Sequence, residues 1–155
     1  MEHRSIPMEE LLPLLQLQME HGTKAPLTVT GISMLPMLTP GRDVVYLEKC
    51  DQPLRTGDII LYRRENGSYI LHRIVCCGTP MICCGDNQWQ PERVTEQQVI
   101  ARVAAFQRNG KHLECSDWIY QIYVFLWVRL YCLRRPYIWM RRRMGKLRRR
   151  LNRNK

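Results

Sequence analysis

"DIILYRRENGSYILHRIVCCGTPMICCGD", residues 58–86, carries two turn signals set between β-type runs. Asn66-Gly67 is the strongest short hairpin signal a sequence offers, and Asp58–Arg64 and Ser68–Cys77 flank it as the two arms. Gly78-Thr79-Pro80 closes a second hairpin onto Met81–Cys84. Working outward, Val44–Leu47 reads as a strand after the Pro40-Gly41 turn, and Val99–Gln107 as another. Asn109-Gly110 then turns the chain into a last short strand, Lys111–Cys115. Short strands with turns every roughly 8–12 residues, and no helices alternating with them, predict a mainly β fold: a folded-over sandwich or barrel.

The ends of the chain read differently. Residues 7–21, PMEELLPLLQLQMEH, form a short amphipathic helix: Pro7 suits its first turn, Glu9 and Glu10 suit its positive end, and Leu11, Leu12, Leu15 and Met19 recur at helical spacing. Residues 118–133, WIYQIYVFLWVRLYCL, are apolar nearly all round, with Gln121 and Arg129 as the polar exceptions. A helix of that kind is buried or faces lipid. From Arg129 to the end at Lys155 there are twelve Lys/Arg and no acid, so the net charge of +10 belongs to this tail and the rest of the chain is nearly neutral. Trp127, Tyr131, Tyr137 and Trp139 at the junction complete the pattern expected at an anionic membrane surface. The run is short for a bilayer span, so the expectation is a peripheral helix on the cytoplasmic face, with a single span as the alternative. Phosphate neutralisation by the Arg run would suit nucleic acid. No recognised nucleic-acid fold signal accompanies it, and no specific nucleic-acid partner is expected.

Seven cysteines, at 50, 76, 77, 83, 84, 115 and 132, form an odd set. The start, MEHRSIPMEE, lacks a basic segment followed by an apolar one, so no cleavable leader is expected and neither is a disulfide framework. Cys76, Cys77, Cys83 and Cys84 bracket one hairpin, but adjacent strand residues point to opposite faces and no CxxC spacing occurs. No metal and no cofactor is expected; the cysteines read as small buried hydrophobes.

Within "TVTGISMLPMLTPGRDVV", residues 28–45, a β-rich run breaks at Gly31 and presents Ser33 on a turn. A nucleophilic serine needs a base within hydrogen-bond reach and a third group that orients the base. Of the four histidines, His72 lies mid-strand on the same face as Ile70 and Ile74, where a polar ring must find a partner. If Gly78-Thr79-Pro80 is a three-residue loop, Cys77 faces Met81, Val75 faces Cys83 and His72 faces Asp86, with Cβ atoms about 4.5–5.5 Å apart. A slip of one residue would send those side chains to opposite faces.

Four pieces then stand in order: Ser33-Met34-Leu35-Pro36, Gly57-Asp58-Ile59-Ile60, Leu71-His72-Arg73-Ile74-Val75 and Gly85-Asp86-Asn87. This layout resembles the signal peptidase family of serine endopeptidases, in the branch that uses a Ser–His pair; the wider superfamily includes self-cleaving repressors. The match spans residues 28–106, about half the chain. The resemblance implies a catalytic β domain over 27–116, preceded by a helix and lead-in (1–26) and followed by a membrane-associating helix (117–140) and a polybasic tail (141–155). It implies Ser33 as nucleophile, its backbone N–H as oxyanion donor, His72 as general base and Asp86 as support for the base. Gly57, Asp58, Gly85 and Asn87 fall at positions regarded as structural. The implied partner is a peptide or preprotein, and the resemblance implies a pocket for small residues on the acyl side of the cut bond, which the chain around Met34 and Met37 is expected to line. Gly31 stands where the resemblance implies that many relatives carry a side-chain oxyanion donor, and the N-terminal membrane anchor usual in the family is not expected here.

Overall fold

Two hairpins set the frame. The computed structural model describes residues 6–130; the expected end of the apolar helix, the polybasic tail, Cys132 and His3 lie outside the described residues. A helix α1 (Met8–Glu20) starts directly after Pro7 and accommodates Pro13. Eight strands follow: β1 (Ala25–Thr28), β2 (Val44–Glu48), β3 (Ile59–Arg63), β4 (Tyr69–Cys76), β5 (Met81–Cys84), β6 (Glu92–Val94), β7 (Val99–Arg108) and β8 (Lys111–Glu114). Helix α2 (Trp118–Arg129) ends the described chain. The mainly β reading and the short N-terminal helix hold. The strands form one open antiparallel sheet in the order β1-β2-β7-β3-β4-β5-β6.

The ten-residue β7 joins the two halves of the sheet. Its residues from Arg102 to Gln107 pair with β2, its first residues pair with β3, and its last four pair with β8. Arg102 pairs with both Glu48 and Ile60, so β2 lies on one edge of β7 while β3 and then β8 share the other.

Alternation along β3 explains why the molecule has two cores. Ile59 and Leu61 point into the larger one, with Leu15 and Met19 of α1 and Tyr120 and Val124 of α2. Ile60 and Tyr62 point the other way, into a smaller core with Ile74, Met81, Cys83 and Val94. Successive strand residues face opposite sides, so a strand apolar throughout must be covered on both.

The first hairpin forms as the Asn66-Gly67 signal predicts, with Ile60 opposite His72 and Arg63 opposite Tyr69. The second departs from the expected register. Near its turn the alignment is as expected, since Cys76 faces Ile82. A bulge at Val75 then slips the pairing by one residue, so that Ile74 faces Cys83 and Arg73 faces Cys84. His72 is therefore not set across from Asp86. The cysteines divide as well: Cys83 and Cys84 are buried, but Cys76 and Cys77, at the turn end of the hairpin, are exposed, which corrects the reading of all four as buried hydrophobes.

Candidate active site

The bulge decides which side chains meet. His72 shares a face with its pairing partner Ile60 and so lies on the side of the smaller core, 1% exposed. Arg73, the next residue, leaves β4 on the opposite face, and it is Arg73 that Asp86 meets. Arg73 Nε donates to Asp86 Oδ1 at 3.0 Å and Nη2 donates to Oδ2 at 2.8 Å, both side chains being fully buried. The expected His72–Asp86 pair is thus replaced by an Arg73–Asp86 pair, and Asp86 acts on His72 as a nearby negative charge.

Arg73 also organises its surroundings. Its Nη1 donates to the Gly57 carbonyl at 2.8 Å and to the Tyr120 hydroxyl at 2.9 Å, and Nη2 lies 2.9 Å from Met37 Sδ. Burial works against its charge, but Asp86 and the other partners outweigh that and hold the guanidinium protonated. The Gly57-Asp58 pair has its own reasons. Gly57 has φ of 104°, and a Cβ there would lie 2.5 Å from Val124 Cγ1. Its N–H donates to the Ile74 carbonyl at 2.8 Å, and Asp58 Oδ2 accepts from the Arg55 N–H at 2.8 Å. Met34 and Met37 are buried in the larger core rather than lining an open pocket.

Ser33 is half-buried on the turn that precedes β2. The loop after β5 clasps that turn: Asn87 N–H donates to the Ser33 carbonyl at 2.7 Å, and Asn87 Nδ2 donates to the Ile32 carbonyl at 3.2 Å. Gly85 sits at the point of convergence. A Cβ on Gly85 would lie 2.7 Å from the Ser33 carbonyl oxygen and 3.0 Å from each of Ser33 Cβ and His72 Nε2. Ser33 Cβ and Nε2 are thus each 3.0 Å from one point and at most about 6 Å, twice that distance, from one another. Only hydrogen fits there.

Behind His72 stand groups that the sequence reading missed. Nδ1 lies 3.1 Å from the Tyr62 hydroxyl, which donates to Glu92 Oε2 at 3.0 Å. Glu92 is held in turn by Arg64, whose Nε donates to Oε2 at 2.7 Å and whose Nη2 pairs with Oε1. Burial depresses the His72 pKa to about 4, although the Glu92 carboxylate works the other way, so the ring is neutral at pH 7. Burial, together with the Glu92 charge, raises the Tyr62 pKa and keeps the phenol protonated. The Arg64 bond lowers the Glu92 pKa and keeps that carboxylate ionised. Tyr62 could have been found from sequence, since the first hairpin register puts it on the His72 face, two residues beyond Ile60. Nothing in the sequence marks Glu92, which arrives on a three-residue strand.

A cavity of about 460 Å³ opens beside α2, lined by Gly57, Asp58, Arg102, Glu114, Tyr120 and their neighbours. Neither Ser33 nor His72 lines it. Among the described residues no three His, Cys, Asp or Glu side chains gather as a metal site, and no helix is long and apolar enough to cross a membrane. No family model, no curated protein and no solved structure matches the chain.

Proposed function

We propose that this protein is a serine endopeptidase of signal-peptidase type, cleaving a precursor, leader or signal peptide through an acyl-enzyme. The observation that carries the reading is the convergence of Ser33 and the neutral His72 on Gly85. Ser33 Oγ attacks the scissile carbonyl while His72 Nε2 takes its proton, and His72 then returns that proton to the leaving amine. The Ser33 backbone N–H serves as oxyanion donor, a kind of contact worth about 3–4 kcal/mol in the transition state. Asp86 serves the site mainly through Arg73, which ties Met37 on the serine segment, the Gly57 turn and α2 to one buried cation. The finer architecture belongs to the same proposal: the pairing of β7 along both edges and the presence of two cores support a folded-over sandwich of signal-peptidase type.

The same reading places the protein peripherally on the cytoplasmic face of a membrane. Helix α2 buries Tyr120 and Val124 but leaves Trp118 (71% exposed), Ile119, Ile122, Phe125 and Leu126 open to solvent. The dense basic sequence that follows supplies attraction to anionic headgroups.

Cleavage of a peptide library, in the presence of lipid, by wild type, Ser33→Ala and His72→Ala tests the proposal. Cutting by wild type that is abolished in both variants is the expected result. A wild type that cuts nothing, or variants that cut equally well, would replace the peptidase with a membrane-tethered peptide-binding β domain.

A further inference from the structure

The hydrogen-bond partners behind His72 fix where its proton sits. Tyr62 has one hydroxyl proton and two neighbours, Glu92 Oε2 at 3.0 Å and His72 Nδ1 at 3.1 Å. An ionised carboxylate can only accept, so the phenolic proton goes to Glu92. The Tyr62 oxygen is then left to accept, and Nδ1 must be the donor. A neutral imidazole carries one proton, so Nε2, the nitrogen beside Ser33, is bare.

We infer that Tyr62 and Glu92 are positioning residues that lock His72 in the Nδ1–H tautomer, with Tyr62 standing between imidazole and carboxylate where a Ser-His-Asp site has direct contact. The catalytic consequence rests on the peptidase reading, but the tautomer does not. When Ser33 Oγ bonds to the scissile carbon, its proton passes to Nε2 and the ring becomes an imidazolium with both nitrogens protonated. The Nδ1 proton stays on the ring, donated to the Tyr62 oxygen, and the Tyr62 proton stays on Tyr62. Glu92 Oε1, 3.7 Å from Nδ1, supplies the negative charge that favours the imidazolium. The Nε2 proton then leaves with the amine as the C–N bond breaks, and the ring returns to its starting tautomer.

The other groups facing His72 are accounted for. Arg64, from just beyond β3, opposes the imidazolium, whereas Asp86, after β5, favours it. Cys83 on β5 shares the smaller core, and burial raises its thiol pKa to about 12, leaving it uncharged. Of these groups, Tyr62 is bonded to Nδ1 and Glu92 is bonded to Tyr62.

The test is nitrogen NMR of the full chain carrying ¹⁵N-labelled histidine, with the His72 signals assigned by their loss in His72→Gln. At pH 7 wild type should show a protonated Nδ1 and a bare Nε2. Tyr62→Phe keeps the ring and removes the hydroxyl, so a second population protonated at Nε2 should appear. In peptide cleavage the same variant should lose at least tenfold in kcat with KM unchanged within twofold. Glu92→Gln keeps an acceptor for Tyr62 but removes the charge, so it should retain the tautomer while kcat falls and the acid limb of the pH profile moves lower. A wild type protonated at Nε2, or a folded Tyr62→Phe with unchanged tautomer and kcat, would overturn the inference. A chain that cuts no peptide but shows the expected tautomers would overturn only the peptidase reading, since the NMR arm does not depend on turnover.

Discussion

Gly85→Ala should separate Ser33 from His72 without removing either. The new methyl would lie 2.7 Å from the Ser33 carbonyl oxygen and 3.0 Å from both Ser33 Cβ and His72 Nε2, where ordinary contacts begin at 3.4 Å. The closest of these contacts is short by 0.7 Å, the difference between 3.4 and 2.7. That oxygen cannot simply swing away, because it also accepts from the Asn87 N–H at 2.7 Å. The serine turn and the loop after β5 must therefore part. A misplacement near 1 Å costs about 10²-fold in rate, and overpacking of this kind costs about 1–3 kcal/mol of stability. Cleavage of the peptides that wild type cuts and urea unfolding followed by tryptophan fluorescence read the two effects separately. Gly78→Ala is the control, since its Cβ would meet only the Pro80 carbonyl, at 3.7 Å. A Gly85→Ala protein with wild-type kcat/KM and an unchanged urea midpoint would refute the convergence on which the site is built.

Three further outcomes test other parts of the structure. His72 is buried with its pKa depressed from 6.5 to about 4, so the unfolded chain binds the extra proton first; stability is complete above pH 6.5 and falls as pH drops toward 4, by about 3 kcal/mol. Urea unfolding across that range should show this loss in wild type and a correspondingly smaller one in His72→Gln; equal losses would count against the burial. Asp86→Ala leaves the Arg73 charge unpaired in the interior and should cost about 3–5 kcal/mol, whereas Arg73→Met with Asp86→Leu should regain most of it. A small loss in the single variant would show the pair to be screened. Ile122→Asp with Phe125→Asp puts charge on the exposed face of α2 and should lower co-sedimentation with anionic vesicles at least tenfold, each apolar side chain being worth roughly 1.5–3 kcal/mol when buried. Unchanged binding would mean that the face does not touch lipid.

Much of the sheet was legible because its signals are local. Asn66-Gly67 and Asn109-Gly110 each specify a turn, and β3, β4, β7 and β8 follow from them within a residue or two at each end. Gly57, Gly85 and Asn87 were legible as positions but not as causes; their causes are Val124, the Ser33 turn and the Ile32 carbonyl, which only the folded chain brings near. The His72–Asp86 bond failed for a definite reason. Loop length alone fixes register near the turn, and Cys76 opposite Ile82 shows that it did so. A bulge then inserts one residue at Val75, and no side chain there announces it. β6 was missed because three residues, Glu92–Val94, are too few to show a period, and Glu92 was lost with it.

That one-residue slip gives His72 and Arg73 separate work. Adjacent on a strand, they project to opposite sides of the sheet. On one side His72 is backed by Tyr62, Glu92 and Arg64, a polar string set into the smaller core. On the other, Arg73 gathers Met37 from the serine segment, the carbonyl of Gly57, the carboxylate of Asp86 and the hydroxyl of Tyr120. These partners come from two of the sequence pieces, from Met37 just after the first piece, and from α2, so a single buried cation fixes the serine turn and the loop after β5 relative to β4. Without the bulge, Asp86 would face His72 and the guanidinium would be left buried without its carboxylate, a cost of about 3–5 kcal/mol. The register that looks best for a Ser-His-Asp arrangement is thus the one the buried arginine forbids, and the carboxylate behind His72 has to arrive through Tyr62 from the far edge of the sheet.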